Sequence, residues 1–269
     1  MLNTEKRNPK TMHIDKMTTM EMLQVINEEN MNAVKAVEAE LSHIAEAIEA
    51  IAASMENGGR LFYIGAGTSG RLGVVDAAEC PPTFGVPKGL VNGIIAGGLP
   101  CMANASENEE DIEESGVKDI LNAKIKTGDV LVGVSAAGGA AYVLGAMKIA
   151  RELGCVTVSL TCNAGSPIDA FADIKICANT GAEVITGSTR MKAGTAQKLV
   201  LNMLSTCAMI KTGKVYENLM INLSPTNIKL KSRVIRIVME ILSCDSEKAE
   251  QLLNENEWNI RKTVEANKA

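Results

Sequence analysis

Residues Arg60 to Pro82, RLFYIGAGTSGRLGVVDAAECPP, constrain the chain more than any other stretch. The apolar run Leu61-Phe62-Tyr63-Ile64 predicts a short buried strand. Gly65-Ala66-Gly67-Thr68-Ser69-Gly70 predicts a tight turn. Leu72, Val75 and Ala78 then predict a helix that stops at Pro81-Pro82. Such a unit leaves free backbone N–H groups at a helix N-terminus, where the helix dipole favours an anion. Thr68 and Ser69 add two hydroxyl donors. We therefore expect a phosphate cradle at Gly67, Thr68, Ser69 and Gly70, with a carboxylate, Glu79, a few turns later.

The same letters spell GxGxxG, the pattern of a dinucleotide site. That site needs an acid about 20 residues on to hold a ribose. The next apolar run, Val91 to Ala96, ends instead in Gly97-Gly98. The lysine of a P-loop is also missing. A mere tight turn before a helix is the plain alternative. Paired hydroxyls within the glycines favour a small phosphomonoester.

At 269 residues the chain has room for one large α/β domain with appendages. A net charge of −5 and an aromatic content of 3% argue against nucleic acid and anionic membrane as partners. No apolar run reaches the ~18 residues of a membrane span, and MLNTEKRNPK lacks a signal-peptide core. The seven cysteines form no C-x-x-C pair, and several lie in apolar runs, a usage suited to a reducing cytoplasm. With only His13 and His43, a histidine metal site or a Ser-His-Asp triad is poorly supplied.

Along the chain, residues 1–18 are polar and predict an extended arm. A short helix is expected from Met20 to Asn30 after Thr18-Thr19. A single longer one is expected from Asn32 to Glu56, stopped by Asn57-Gly58-Gly59, with Val34, Val37, Leu41, Ile44, Ile48, Ile51 and Met55 on one stripe. Continuous apolar runs at 91–96, 130–134 and 156–160, with a shorter edge run at 174–177, alternate with helical patterns. That alternation indicates a doubly wound parallel sheet covered on both faces, with ligands at the carboxyl ends of its strands. Gly187-Ser188-Thr189-Arg190 is expected to open a long helix to about Ile210, capped by Ser188 or Thr189. Helices are further expected over Ser224–Leu242, Ser246–Asn254 and Asn259–Asn267. The domain reading is an arm with helices over 1–56, a phosphate-binding α/β domain over 57–215, a helical extension over 216–243 and a short helical tail over 244–269.

GRLFYIGAGTSGRLGVVDAAECPPTFGV, TGSTRMKAGTAQKLVLNMLST, NLM and the opening TEKRNPKTMHIDKMTT together resemble the N-acetylmuramic acid 6-phosphate etherase family. The resemblance runs nearly the whole way to about Leu230, and the ending is similar to the family's small UBA-like tail, cut short. It implies an SIS-type (sugar isomerase) three-layer sandwich and a lyase that needs neither metal nor nucleotide. The implied substrate is N-acetylmuramic acid 6-phosphate, cleaved into N-acetylglucosamine 6-phosphate and D-lactate. Elimination from the open-chain aldehyde would be followed by addition of water. One carboxyl group removes the proton at carbon 2 and another protonates the departing oxygen. By motif, Glu79 in AAECPP matches the family's proton donor. Counted from AGG, Glu110 matches its second glutamate, against the plain reading of residues 107–114 as a solvated acidic face. A homodimer with a shared active site is implied as well.

Two departures from the family pattern stand out. Glu107-Asn108-Glu109-Glu110-Asp111 replaces the usual EGAED. Ala137-Gly138-Gly139-Ala140-Ala141 replaces a Ser-Gly-Arg-Thr-Pro loop that helps hold the phosphate, leaving backbone groups such as that of Gly138 for the task. Ser135 lies close by, at the end of a strand and expected to point away. Ser188, Thr189, Arg190 and Lys192 lie in a matching motif and are expected either to close over the substrate or to form an N-cap with a surface basic pair. Glu183 is a further candidate of that kind. The competing functional reading is a catalytically impaired SIS protein that senses a sugar phosphate; an isomerase shares the fold but lacks the ECPP segment.

Overall fold

The computed structural model describes residues 1–267 apart from 105, 107, 224, 226 and 227. Its described helices are α1 (Thr19–Glu38), α2 (Leu41–Glu56), α3 (Gly67–Phe84), α4 (Glu113–Asn122), α5 (Ala141–Glu152), α6 (Lys192–Lys211), α7 (Ile228–Leu242), α8 (Ser246–Glu255) and α9 (Ile260–Asn267). The strands are β1 (Leu61–Gly65), β2 (Val91–Ile95), β3 (Val130–Val134), β4 (Val156–Thr161) and β5 (Ile174–Cys177). All pair in parallel in the order β2-β1-β3-β4-β5, so the five expected strands and the doubly wound sheet are present, with β5 at an edge. Contacts cluster into two compact units, Met1–Ala78 with Gly89–Ala208, and Glu79–Lys88 with Met209–Ala269.

Side-chain alternation in the buried strands splits the first unit into layers. Phe62, Ile64 and Leu131 join Ile120, Val143 and Met147 of α4 and α5 in one apolar cluster. Tyr63 points to the other face, where its hydroxyl donates to Leu201 O of α6 at 3.4 Å. The side of α3 that packs there is built from small residues. A Cβ at Gly70 would lie 2.5 Å from Gly65 O, and one at Gly73 would lie 2.8 Å from Tyr63 Cβ. Leu72, Val75 and Ala78, the expected apolar pattern, are not the buried stripe; Val75 is 52% exposed. The helix also runs past Pro81-Pro82 to Phe84. A carbonyl can still accept there, and Gly85 N–H donates to Pro81 O at 2.9 Å.

Thr18 and Glu21 close a reciprocal capping box at the start of α1. The helix continues to Glu38, and the expected single helix over 32–56 is two, broken at Ala39-Glu40. Glu40 accounts for the break: its carboxylate accepts the Cys177 N–H at the sheet edge at 3.2 Å and pairs with the His43 ring at 2.8 Å. Val37, Ile44, Ile48 and Ile51 are buried, whereas Val34 and Leu41 face solvent.

The expected extended arm is three short turns laid against the domain. Thr11 Oγ1 donates to Val184 O at 2.8 Å, Asn8 Nδ2 to Glu29 at 2.7 Å, and Asn3 N–H to Asn163 Oδ1 at 2.7 Å. In the second unit, Val234, Ile237 and Val238 of α7 share one apolar cluster with Leu253 of α8 and with Ile260 and Val264 of α9. Ser224, expected to begin α7, lies outside the described residues.

Candidate active site

The chain leaves β1 for β2 on one side and β3 on the other, so the carboxyl ends of β1 and β3 diverge into a crevice. A cavity of about 380 Å³ opens there. Gly67, Thr68 and Ser69 line it from the β1 turn, and Ser135, Ala137 and Gly139 from the β3 turn. Glu110 and Asp111 enter from a 3-10 turn after β2, Thr189 from the segment before α6, and Glu5 from the N-terminal arm. A second cavity, of about 390 Å³, shares Ala66, Gly67 and Glu110 and is also lined by Arg71, Cys101 and Glu109.

Gly67 sits at φ +53°, a conformation that strains any side chain, and so turns β1 into α3. Buried Ser69 donates its hydroxyl to Gln197 Oε1 at 2.9 Å, which fixes its rotamer at the cavity wall. Gly70 lies behind the wall in the helix–strand packing already described. Gly138 is likewise not a lining residue. Its N–H donates to Ser135 Oγ at 3.0 Å, its φ is +75°, and a Cβ would run into the Ser166 side chain. Ser135 itself faces the cavity, contrary to the expectation that it points away.

The segment before α6 differs most from expectation. The helix begins at Lys192, and Glu183 caps it rather than Ser188 or Thr189. The Glu183 carboxylate accepts the N–H groups of Lys192 at 3.0 Å and Ala193 at 2.9 Å, with no exposure to solvent. A carboxylate at a helix N-terminus is favoured by the dipole. Ser188 is half-buried off the cavity wall and Arg190 is exposed. Lys192 is 1% exposed, and its ammonium lies 2.6 Å from Glu29 Oε2 rather than on either cavity.

Burial opposes ionisation of Glu29, but hydrogen bonds from Lys192, Lys10 and Asn8 outweigh it and hold its pKa at about 2, below the ordinary 4.5. A depressed carboxylate contributes stability that is full above its unfolded pKa. That share is therefore lost as pH falls from about 4.5 toward about 2. Lys192→Met, which leaves Glu29 with only the exposed Lys10 ammonium at 3.1 Å and the Asn8 amide, is expected to cost ~1.5–3 kcal/mol in urea unfolding at neutral pH. A melt unchanged from wild type would contradict this placement.

Thr68, Ser69, Thr189 and Glu110 are thus brought together around one cavity, and Glu110 borders both. Glu79 lines neither. It is exposed on α3, about three turns beyond Thr68. Glu5, Asp111 and Ser135 are wall residues that the sequence did not single out as site residues. Only contacts between distant segments bring Glu5 there, such as Gly187 N–H to Thr4 O at 3.3 Å.

Comparison with known proteins matches residues 43–151 to a glucokinase regulatory protein N-terminal SIS domain and residues 108–206 to an SIS domain. A phosphoheptose isomerase from Francisella tularensis shares the fold, with a TM-score of 0.56 at 20% identity over 71% of this chain and 98% of that one. An N-acetylmuramic acid 6-phosphate etherase from Clostridium botulinum (strain Loch Maree) is 51% identical over 98% of this chain and 87% of its own length. One from Geobacillus sp. (strain WCH70) is 51% identical over 92% of this chain and 84% of its own. With the glycine cradle, the ECPP segment and the SIS sheet all in place, the chain belongs to the N-acetylmuramic acid 6-phosphate etherase family.

Proposed function

We propose that this protein cleaves the D-lactyl ether at carbon 3 of N-acetylmuramic acid 6-phosphate, releasing D-lactate and N-acetylglucosamine 6-phosphate in cell-wall sugar recycling. The observation that carries the reading is a carboxylate, Glu110, on the same cavity wall as the Thr68-Ser69 turn at the switch point of the sheet. The Thr68 hydroxyl and the free N–H groups opening α3 bind the phosphate, with Ser69 held beside them. Thr189 borders the same space. Glu110 takes the proton at carbon 2, which the neighbouring aldehyde acidifies. Its electron pair forms the carbon 2–carbon 3 double bond as the ether oxygen leaves carbon 3. Glu79 gives that oxygen its proton, and water then adds at carbon 3.

The reading includes a homodimer in which a second copy supplies Glu79. Met20, Leu23, Met31 and Val34 form one exposed stripe of α1, the surface we assign to that contact. Sedimentation at micromolar concentration is expected to show a dimer, and Leu23→Asp with Val34→Asp a monomer without activity. A wild type that sediments as a monomer would contradict the shared site. The seven cysteines, none of them in a disulfide, favour the cytoplasm. No described helix is long and apolar enough to cross a membrane.

Purified protein mixed with N-acetylmuramic acid 6-phosphate is expected to release one D-lactate for each N-acetylglucosamine 6-phosphate formed. Thermal stabilisation by a sugar 6-phosphate without any lactate would replace this reading by simple binding.

A further inference from the structure

The proposed substrate carries two anions, a phosphate at carbon 6 and the carboxylate of the lactyl group on carbon 3. The first cavity has the glycine turn. The second shares the Ala66-Gly67 wall and Glu110 with it, and Arg71 is the one cationic residue among its described lining residues. Resting on the substrate reading above, we infer that Arg71 binds the lactyl carboxylate in this second cavity and so selects muramic over glucosamine phosphates.

The Arg71 side chain is already fixed for that task. Its Nε–H donates to Met102 O and its Nη2 to Asn104 O, each at 3.1 Å. A guanidinium carries five N–H donors. The remaining three make no hydrogen bond or ion pair among the described residues, although Glu109 and Glu110 line the same cavity. A planar fork held by two backbone carbonyls loses little freedom when it grips a carboxylate, and arginine matches that group bidentately. Arg71 is also one helical turn from Gly67, one of the three residues common to both cavities. Phosphate in one cavity and lactyl group in the other leaves carbons 2 and 3 between them, beside Glu110.

The test uses two open-chain alditol 6-phosphates that cannot eliminate, one made by reducing N-acetylmuramic acid 6-phosphate and one by reducing N-acetylglucosamine 6-phosphate. They differ only in the lactyl group. By calorimetry the wild type is expected to bind the lactyl compound roughly 10–100-fold more tightly. Arg71→Met is expected to erase that preference while the affinity for the other alditol stays within about twofold, and Arg71→Lys to restore part of it. No lactyl preference in the wild type, or a preference that survives in Arg71→Met, would overturn the assignment. Equal weakening of both compounds would do the same and show that Arg71 only braces the 102–104 segment. A wild type that prefers the lactyl compound yet releases no D-lactate would uphold Arg71 and sink the lyase reading.

Discussion

Glu110→Gln is expected to lower kcat by about 10²–10⁴-fold, the usual share of a positioned acid or base, with KM changed only a few-fold. The amide keeps the size and polarity of the side chain but cannot take a proton from carbon 2. Glu110 is exposed on a short turn and makes no described core contact, so the variant is expected to melt as the wild type does. Glu79→Gln is expected to be as damaging for the opposite reason, since the departing oxygen then leaves without its proton. The two variants also report on the origin of Glu79. Each alone is inactive, but if a second copy supplies Glu79, a mixture that exchanges subunits contains dimers with one intact site. Recovered activity on mixing is the expected result. A mixture as dead as its components, after exchange is shown, would place both glutamates in one chain or remove one from the reaction.

The largest gain is expected from rebuilding the turn after β3. Glu5, Glu110 and Asp111 line the first cavity, and its described lining residues include no lysine or arginine. In the proposed reading a phosphate there would meet three carboxylates, with only N–H groups and hydroxyls to hold it. Ala137, Gly139 and Ala140 all face this space. A Cβ at Gly139 would meet nothing within 4 Å, so a side chain fits there without backbone strain. Gly138, whose φ and contact with Ser166 exclude one, must stay. Buried Tyr142 anchors the far end of the turn by donating to Asp119 Oδ2 at 2.7 Å. Gly139→Arg with Ala137→Ser and Ala140→Thr is expected to lower KM by roughly 10–100-fold, at ~1–3 kcal/mol for each charge-assisted bond recovered. An unchanged KM would mean that the phosphate does not approach the β3 turn.

What the sequence made legible was local. The central strands β1 and β3 are continuous apolar runs and the cradle is a run of six residues, so both follow from neighbours in the chain. The misread features depend on partners far away. Glu40 breaks a helix whose stripe reads as continuous because its carboxylate is held by Cys177, 137 positions on. Glu183 displaces Ser188 and Thr189 as the cap of α6, although those hydroxyls are the better local cap. Lys192 reads as a surface base because nothing near it in the sequence announces Glu29, 163 positions away. The buried side of α3 is illegible for a different reason: close helix–strand packing selects glycines such as Gly70 and Gly73, which carry no apolar signal. In the site, the turn residues and Glu110 were legible through the motif. Glu5 and the second cavity required the fold.

The most direct measurement is the fate of oxygen-18 from labelled water during turnover of N-acetylmuramic acid 6-phosphate. Elimination followed by hydration breaks the bond between carbon 3 and the ether oxygen, so the expected label is on the carbon 3 hydroxyl of the sugar and not on lactate. Label in the lactate hydroxyl would mean that the lactyl carbon–oxygen bond is cut instead, and the roles given to Glu110 and Glu79 could not stand.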